Sequence, residues 1–415
     1  MGWIKRVLVV MVVAWMANMV SKMLKEPPLP VLDPNPWWGP GEPQPEDISI
    51  NRFEINFSEK DVKDLEARLA LPLRLTPPLE DSKFTYGMNS EALQKIIHYW
   101  RHDYDWRKRE AKLNLYPHFK TRIEGLDVHF MRGNAKVGSA KNVKVLPLLL
   151  IHGWPGSFVE FYDILPYLTT PQKNSNVVFD VICPSIPGYG FSEGSAKQGF
   201  SLLETAQMFL KLMKRLGYDQ FYVQGGDWGS VISSNMATMY PKHILGVHVN
   251  MMSSNTVGTM LKLIAGTILP AGTVVDKKDE KKLYPFWKHF SMIVRETGYM
   301  HIQATKPDTI GGYSQTVKFT GSITTSVRYY AENINRKAYT RKLDDIPCRV
   351  PAGLAAFPQE LMTQPKNFAA HKFYDIVSYS DLPVGGHFAA LERPTLLAAD
   401  IHQFVNAVEK RSKVM

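Results

Sequence analysis

Residues 221–230 read FYVQGGDWGS, and the fold turns on that stretch. Phe221, Tyr222 and Val223 make a short apolar strand, Gly225 and Gly226 break it, and a helical pattern with Val231, Ile232 and Met236 follows. One functional side chain, Asp227, stands where strand gives way to helix. Small residues on both sides allow a turn too sharp for bulky neighbours, the arrangement of a nucleophile elbow. Serine is the usual occupant, and aspartate changes the chemistry. A carboxylate is already ionised and can displace at a saturated carbon, leaving an alkyl ester that water must then open. The plainer alternative is a helix N-cap, a place where aspartate is also favoured. The flanking glycines and two further motifs weigh against it.

The first lies upstream. Val145 to Ile151 is a continuous apolar run, as in a strand buried on both faces, and His152-Gly153-Trp154-Pro155-Gly156-Ser157 follows directly. Such a turn can aim the Trp154 amide at the site, and with the Trp228 amide it would form an oxyanion hole. His152 in this setting is expected to orient backbone rather than act as a base. The second motif is Gly385-Gly386-His387-Phe388, near the C-terminus. Nucleophile, acid, then histidine is the chain order of the α/β-hydrolases, so His387 is the expected base. The acid that would hold its tautomer should lie between. Glu360, in GLAAFPQEL, is best placed, with Asp375 and Asp381 as competitors. An oxygen displaced from the saturated carbon would leave as an alkoxide and would need a proton. Phenols can supply it, and Tyr299, Tyr313, Tyr329 and Tyr330 are the candidates.

Further apolar runs at 177–182, 221–223 and 244–249 alternate with helical stretches such as 202–216. That alternation predicts an α/β protein with a mostly parallel sheet, helices on both faces and an inserted helical lid. The expected division is an N-terminal anchor (1–25), a Pro-rich spacer (26–47), a helical segment packing on the core (48–120), the first part of the core (121–251), the lid (252–345) and the rest of the core (346–415). In the helical segment, Ser58 and Ser90 are the expected caps. The anchor reading rests on Lys5-Arg6 followed by the mostly apolar run 7–20, which is short for a spanning helix of about 20 residues. The spacer carries eight prolines, and its Trp37-Trp38 pair could meet a membrane interface or pack on the body.

Composition excludes several classes. The chain has 415 residues, 45% hydrophobic and 21% charged, which leaves no room for a disordered or collagenous reading. Two distant cysteines, Cys183 and Cys348, give no disulfide framework and suit a reducing compartment. No histidine or cysteine spacing suggests a metal; His98, His102 and His118 lack partners at ligand spacing. The formal charge of +10 is read as a solvated basic exterior rather than a nucleic-acid surface. No obligate protein partner is indicated.

These residues together resemble the microsomal epoxide hydrolase family, which includes insect juvenile hormone epoxide hydrolases, the branch expected here. The resemblance runs through WWGPG, TPPLEDSKFTYGMNS, YPHFKTRIEGLDVHF, HGWPGSFVEFY, CPSIPGYGFSE, QGGDWGS, GYMHIQATKPDTIG and GGHFAALERP. It implies Asp227 as nucleophile, His387 as base, Glu360 as acid, and Tyr299 and Tyr330 as the tyrosines that polarise the oxirane. It also implies lipophilic epoxides and water as substrates, diol products, no cofactor, and an endoplasmic-reticulum membrane location with the catalytic part in the cytosol. One departure stands out. After KPDTIG the family continues for several dozen lid residues, whereas here Gly311-Gly312 leads almost directly into YSQTVKFTGSITTSVRYYAEN. A shortened lid raises the alternative of a weak or inactive ligand-binding relative. A haloalkane dehalogenase is disfavoured because Trp154 stands where such enzymes often carry a halide-binding asparagine.

Overall fold

Each apolar run forms a strand, because a parallel strand covered on both faces needs an unbroken row of Val, Leu and Ile. In this computed structural model the strands are β1 (Asn51–Phe53), β2 (His118–Ile123), β3 (Leu126–Gly133), β4 (Lys144–Ile151), β5 (Val177–Pro184), β6 (Phe221–Gly225), β7 (Ile244–Val249), β8 (Cys348–Ala356) and β9 (Phe373–Asp381). The structure describes residues 25–412 except 73, 141, 174, 253, 314–321 and 335–342, with scattered positions before 25. The main helices are α1 (Glu59–Leu69), α2 (Ser90–His102), α3 (Trp106–Leu113), α4 (Leu202–Arg215), α5 (Trp228–Met239), α6 (Val257–Ala265), α7 (Phe286–Glu296), α8 (Gly298–Thr305), α9 (Ile323–Ile334) and α10 (Pro394–Ser412).

One sheet of nine strands results, in the order β1-β2-β3-β5-β4-β6-β7-β8-β9. From β5 to β9 every neighbouring pair is parallel, while β1, β2 and β3 form an antiparallel edge that joins β5. The span 48–120, expected to be mostly helical, holds three helices among its described residues, but β1 and the start of β2 also fall within it. The polar strand β2, HFKTRI, lacks the apolar run that marks the others. Glu124 and Gly125, both with positive φ, turn β2 into β3.

Successive residues of β4 point to opposite faces. Leu149 and Ile151 join a core with α4 and α5, while Leu146, Leu148 and Leu150 join one with α10. Helices thus cover both faces. The chain leaves β4 for β5 on one side and reaches β6 on the other, so β4 is the switch point where α/β sheets place ligands. Register brings Ile151 level with Gly225, which sets the turns after β4 and β6 side by side.

In the N-terminal helices, Ser58 caps α1 by accepting from the Asp61 amide, as expected. The cap of α2 is Asn89, not Ser90: its side chain accepts from the Glu91 and Ala92 amides. The Pro-rich stretch runs against the body. The Trp38 indole donates to Glu124 at 3.1 Å, and Gln207 and Lys211 donate to the Asp33 and Pro34 carbonyls at 2.7 Å. Much of the apolar run 7–20 lies outside the described residues; among those described, no helix is long and apolar enough to cross a membrane.

Candidate active site

Asp227 sits at the head of α5 with φ 50° and ψ −127°, a left-handed conformation that disfavours a side chain with a Cβ. Its carboxylate does not cap the helix. Instead Oδ1 accepts from the Trp154 amide at 2.8 Å. The turn that carries Trp154 can come this close only because residue 153 is glycine, since a Cβ there would lie 2.3 Å from Asp227. Trp228, whose amide was expected beside that of Trp154, takes the first position of α5.

His387 follows the positive-φ Gly385, a conformation open to glycine. Its Nε2 lies 3.5 Å from Asp227 Oδ2, and its Nδ1 is 2.9 Å from Glu360 Oε2 and 3.0 Å from Oε1. Hydrogen bonding to Asp227, then to Glu360, raises the imidazole to about 10 against the opposing effect of burial. At neutral pH the ring is therefore a cation between two carboxylates. The competing acids are engaged elsewhere: Asp375 accepts from Arg411 at 2.9 Å and Asp381 from Lys282 at 2.6 Å. His152 is structural, with Nδ1 donating to the Gly153 carbonyl and Nε2 accepting from the Ile186 amide. Burial lowers it to about 4 and keeps it neutral.

Helices α6 to α9, between β7 and β8, supply the opposite wall. Tyr299 of α8 stacks on Trp154 with centroids 5.3 Å apart, and Tyr330 of α9 meets the edges of Trp154 and Trp228 at 5.7 and 4.8 Å. Burial and then the charge of Asp227 raise both phenols above the usual tyrosine range, so both remain donors at neutral pH. Tyr329, adjacent in sequence, points away to Thr205 at 2.7 Å. The side chain of Tyr313 lies outside the described residues. Asp227, His387, Tyr299 and Tyr330 open together into a pocket of about 310 Å³, lined elsewhere by Val231, Met251, Ile293, Met300, Leu361 and Met362. That size and lining suit a small apolar ligand.

Two acids at this site escaped the sequence reading. Asp344 borders the pocket and is raised to about 6, mainly by burial. Glu160 lies under the Trp154 turn; burial and then the charge of Asp227 raise it to about 8. Nothing in VEF marks Glu160 as enclosed. The only sequence signal is Gly156, where a Cβ would lie 1.7 Å from its Oε1.

A sheet switch point with an elbow carboxylate, an acid-supported histidine and a helical cover defines an α/β-hydrolase. Residues 147–270 match the family described as alpha/beta hydrolase fold, and residues 50–161 match Epoxide hydrolase N terminus. Juvenile hormone epoxide hydrolase 1 of Ctenocephalides felis is 42% identical, over 97% of this chain and 95% of its own length. Epoxide hydrolase 1 of Oryctolagus cuniculus is 44% identical over 93% and 95%. The crystal structure of juvenile hormone epoxide hydrolase from Bombyx mori matches with a TM-score of 0.86 at 39% identity, covering 92% of this chain and 100% of that one. The chain belongs to the epoxide hydrolase family and is an epoxide hydrolase. The alignment to the flea protein has 448 positions, 33 more than the 415 residues here, so at least 33 of its positions face no residue of this chain.

Proposed function

We propose that this epoxide hydrolase opens lipophilic epoxides through a covalent ester on Asp227. The observation that carries the reading is His387 bridging Asp227 and Glu360 at the floor of an apolar pocket whose roof holds two protonated tyrosines. Oδ1 is held by the Trp154 amide, which leaves Oδ2 as the attacking oxygen. Attack on an epoxide carbon breaks the ring C–O bond, and the ring oxygen takes a proton from Tyr299 or Tyr330. Esterification removes the Asp227 charge, the leading cause of the raised His387 value. His387 then gives up its proton, restoring the tyrosine, and becomes the neutral base that the second half needs. Glu360 keeps that ring oriented. The Trp154 and Trp228 amides would receive the oxyanion when water attacks the ester.

The apolar lining suits terpenoid epoxides of the juvenile hormone type and aromatic epoxides alike. The flea relative is named for juvenile hormone and the rabbit relative for no particular substrate, and they stand at similar identity, 42% and 44%. The aligned positions without a counterpart support a shortened lid, which the sequence places directly after Gly311-Gly312. The pocket with both tyrosines over Asp227 favours an active enzyme over a ligand-binding relative. The exposed apolar residues Trp3, Val10, Met11 and Trp15 support attachment to a membrane, in this family's case that of the endoplasmic reticulum.

His387→Gln tests the scheme. Treated with styrene oxide, the variant should accumulate an adduct on the Asp227 peptide, seen by mass spectrometry. An unmodified Asp227 in a folded variant that still binds the epoxide would rule the covalent route out.

A further inference from the structure

Glu160 stands against the catalytic pair, yet the scheme above gives it no task. It lies on a short 3-10 turn, Phe158–Phe161, just after the Trp154 loop. Its Oε1 is fully enclosed and makes no hydrogen bond of ordinary geometry, although the Ser157 and Gly153 backbone lies against the carboxyl. Leaving a buried polar atom unpaired costs on the order of 1–3 kcal/mol, so such an atom calls for a partner. Gly156 makes the space for it, because any larger residue would strike Oε1.

A second unpartnered oxygen faces the same place. Gln224 Oε1 is buried without a partner, while its Nε2 donates to Asn250 at 2.8 Å. Glu160, Gln224, Asn250, Asp227 and His387 all border one small cavity of about 10 Å³. A space of that order holds a single water, provided two or more polar groups face it. Asp227 and His387 border this cavity and the substrate pocket alike. Glu160 and Gln224 border only the small cavity, and the two tyrosines border only the pocket. The nucleophile is therefore a partition between an apolar chamber for the epoxide and a polar chamber for one water.

We propose that Glu160 is the positioning residue for the hydrolytic water, its Oε1 accepting one O–H while His387 Nε2 accepts the other. In the step, the water oxygen bonds to Cγ of the Asp227 ester and its proton passes to His387. The carbonyl electron pair moves to Oδ1 beneath the Trp154 amide. On collapse the bond from Cγ to the alkyl oxygen breaks, and the diol leaves with the proton from His387. The acid left on Asp227 returns its proton to His387, restoring the ion pair. The Asp227 charge that helps hold Glu160 protonated is absent while the ester stands, so its oxygen is a stronger acceptor when the water is used.

The inference rests on the covalent reading, and its test separates the two. The full chain is mixed with styrene oxide and quenched at intervals, and the rates of adduct formation and decay are read by mass spectrometry. Glu160→Ala should alkylate at the wild-type rate and release diol on the order of 100-fold more slowly. Glu160→Gln, which keeps an acceptor oxygen, should recover part of the loss. Equal changes in both rates, or no change, would overturn the role. If Glu160→Ala fails to fold, Glu160→Gln decides: several-fold slower release supports the role, and a wild-type ratio of the two rates rejects it. Adduct in His387→Gln but none in the Glu160 variants sinks this inference alone; no adduct in any of them sinks the covalent reading.

Discussion

Beneath the pocket, Leu149, Ile151, Val223 and Val249 are wholly buried between sheet and helices. Above it, α7 buries no residue, and Trp287 is 72% exposed. The floor is fixed by glycines with no space beside them, so Asp227 has one position open to it. Over Asp227 the cover meets the floor through Tyr299 and Tyr330 against Trp154 and Trp228, and beside it α9 is tied to the core by Thr205–Tyr329 and Thr325–Gly188 hydrogen bonds. Precision for the nucleophile is supplied by the sheet, whereas the proton donors ride on cover helices of unequal anchorage: α9 buries Val327, Tyr329, Tyr330 and Asn333, while α8 buries only Gln303 and Ala304. An insertion or deletion in the cover can therefore alter which epoxides fit without disturbing the ionised groups below.

The largest effect that would sharpen this contrast lies within the cover. Tyr330 is 2% exposed and Tyr299 is 37% exposed. Tyr330→Phe should slow alkylation by on the order of 100-fold, and Tyr299→Phe by less, as read by single-turnover quench. Equal losses would show that both phenols are held with the same precision. Next comes stability. Leu149→Ala should cost about 2–5 kcal/mol in denaturant unfolding, and Trp287→Ala within about 0.5 kcal/mol. Similar costs would break the comparison. The smallest effect concerns pH. His387 is raised in the fold from 6.5 to about 10, so its contribution to stability is complete below about pH 6.5 and lost as pH climbs toward 10. The melting temperature of the wild type should fall by a few degrees more than that of His387→Gln across that window. Parallel curves would mean that the imidazole is not held as a cation.

Much of this architecture could be read without coordinates, for identifiable reasons. Strands β4 to β7 announce themselves because burial on both faces demands uninterrupted apolar residues, and β7 matches the expected 244–249 at both ends. The elbow and the His387 turn are legible because strained turns force glycine into fixed positions. Edge strands β1 and β2 hid behind Lys, Arg and His, since one side of an edge meets solvent. Tyr329 and Tyr330 cannot be separated by spacing; only the angular placement of α9 sends one to Thr205 and the other over Trp228. Glu160 stayed invisible because its enclosure depends on a loop folding back beneath the nucleophile.

The docked prolines carry one more consequence. Glu26 pairs with Arg349 at 2.7 Å, and from there to Trp38 the chain is pinned to α4, β8 and the β2–β3 turn. This makes it a strap rather than a leash. A pull applied at Glu26 is passed to the hydrolase body through these contacts. Any tether joined ahead of Glu26 would hold the body from the same point and in the same attitude.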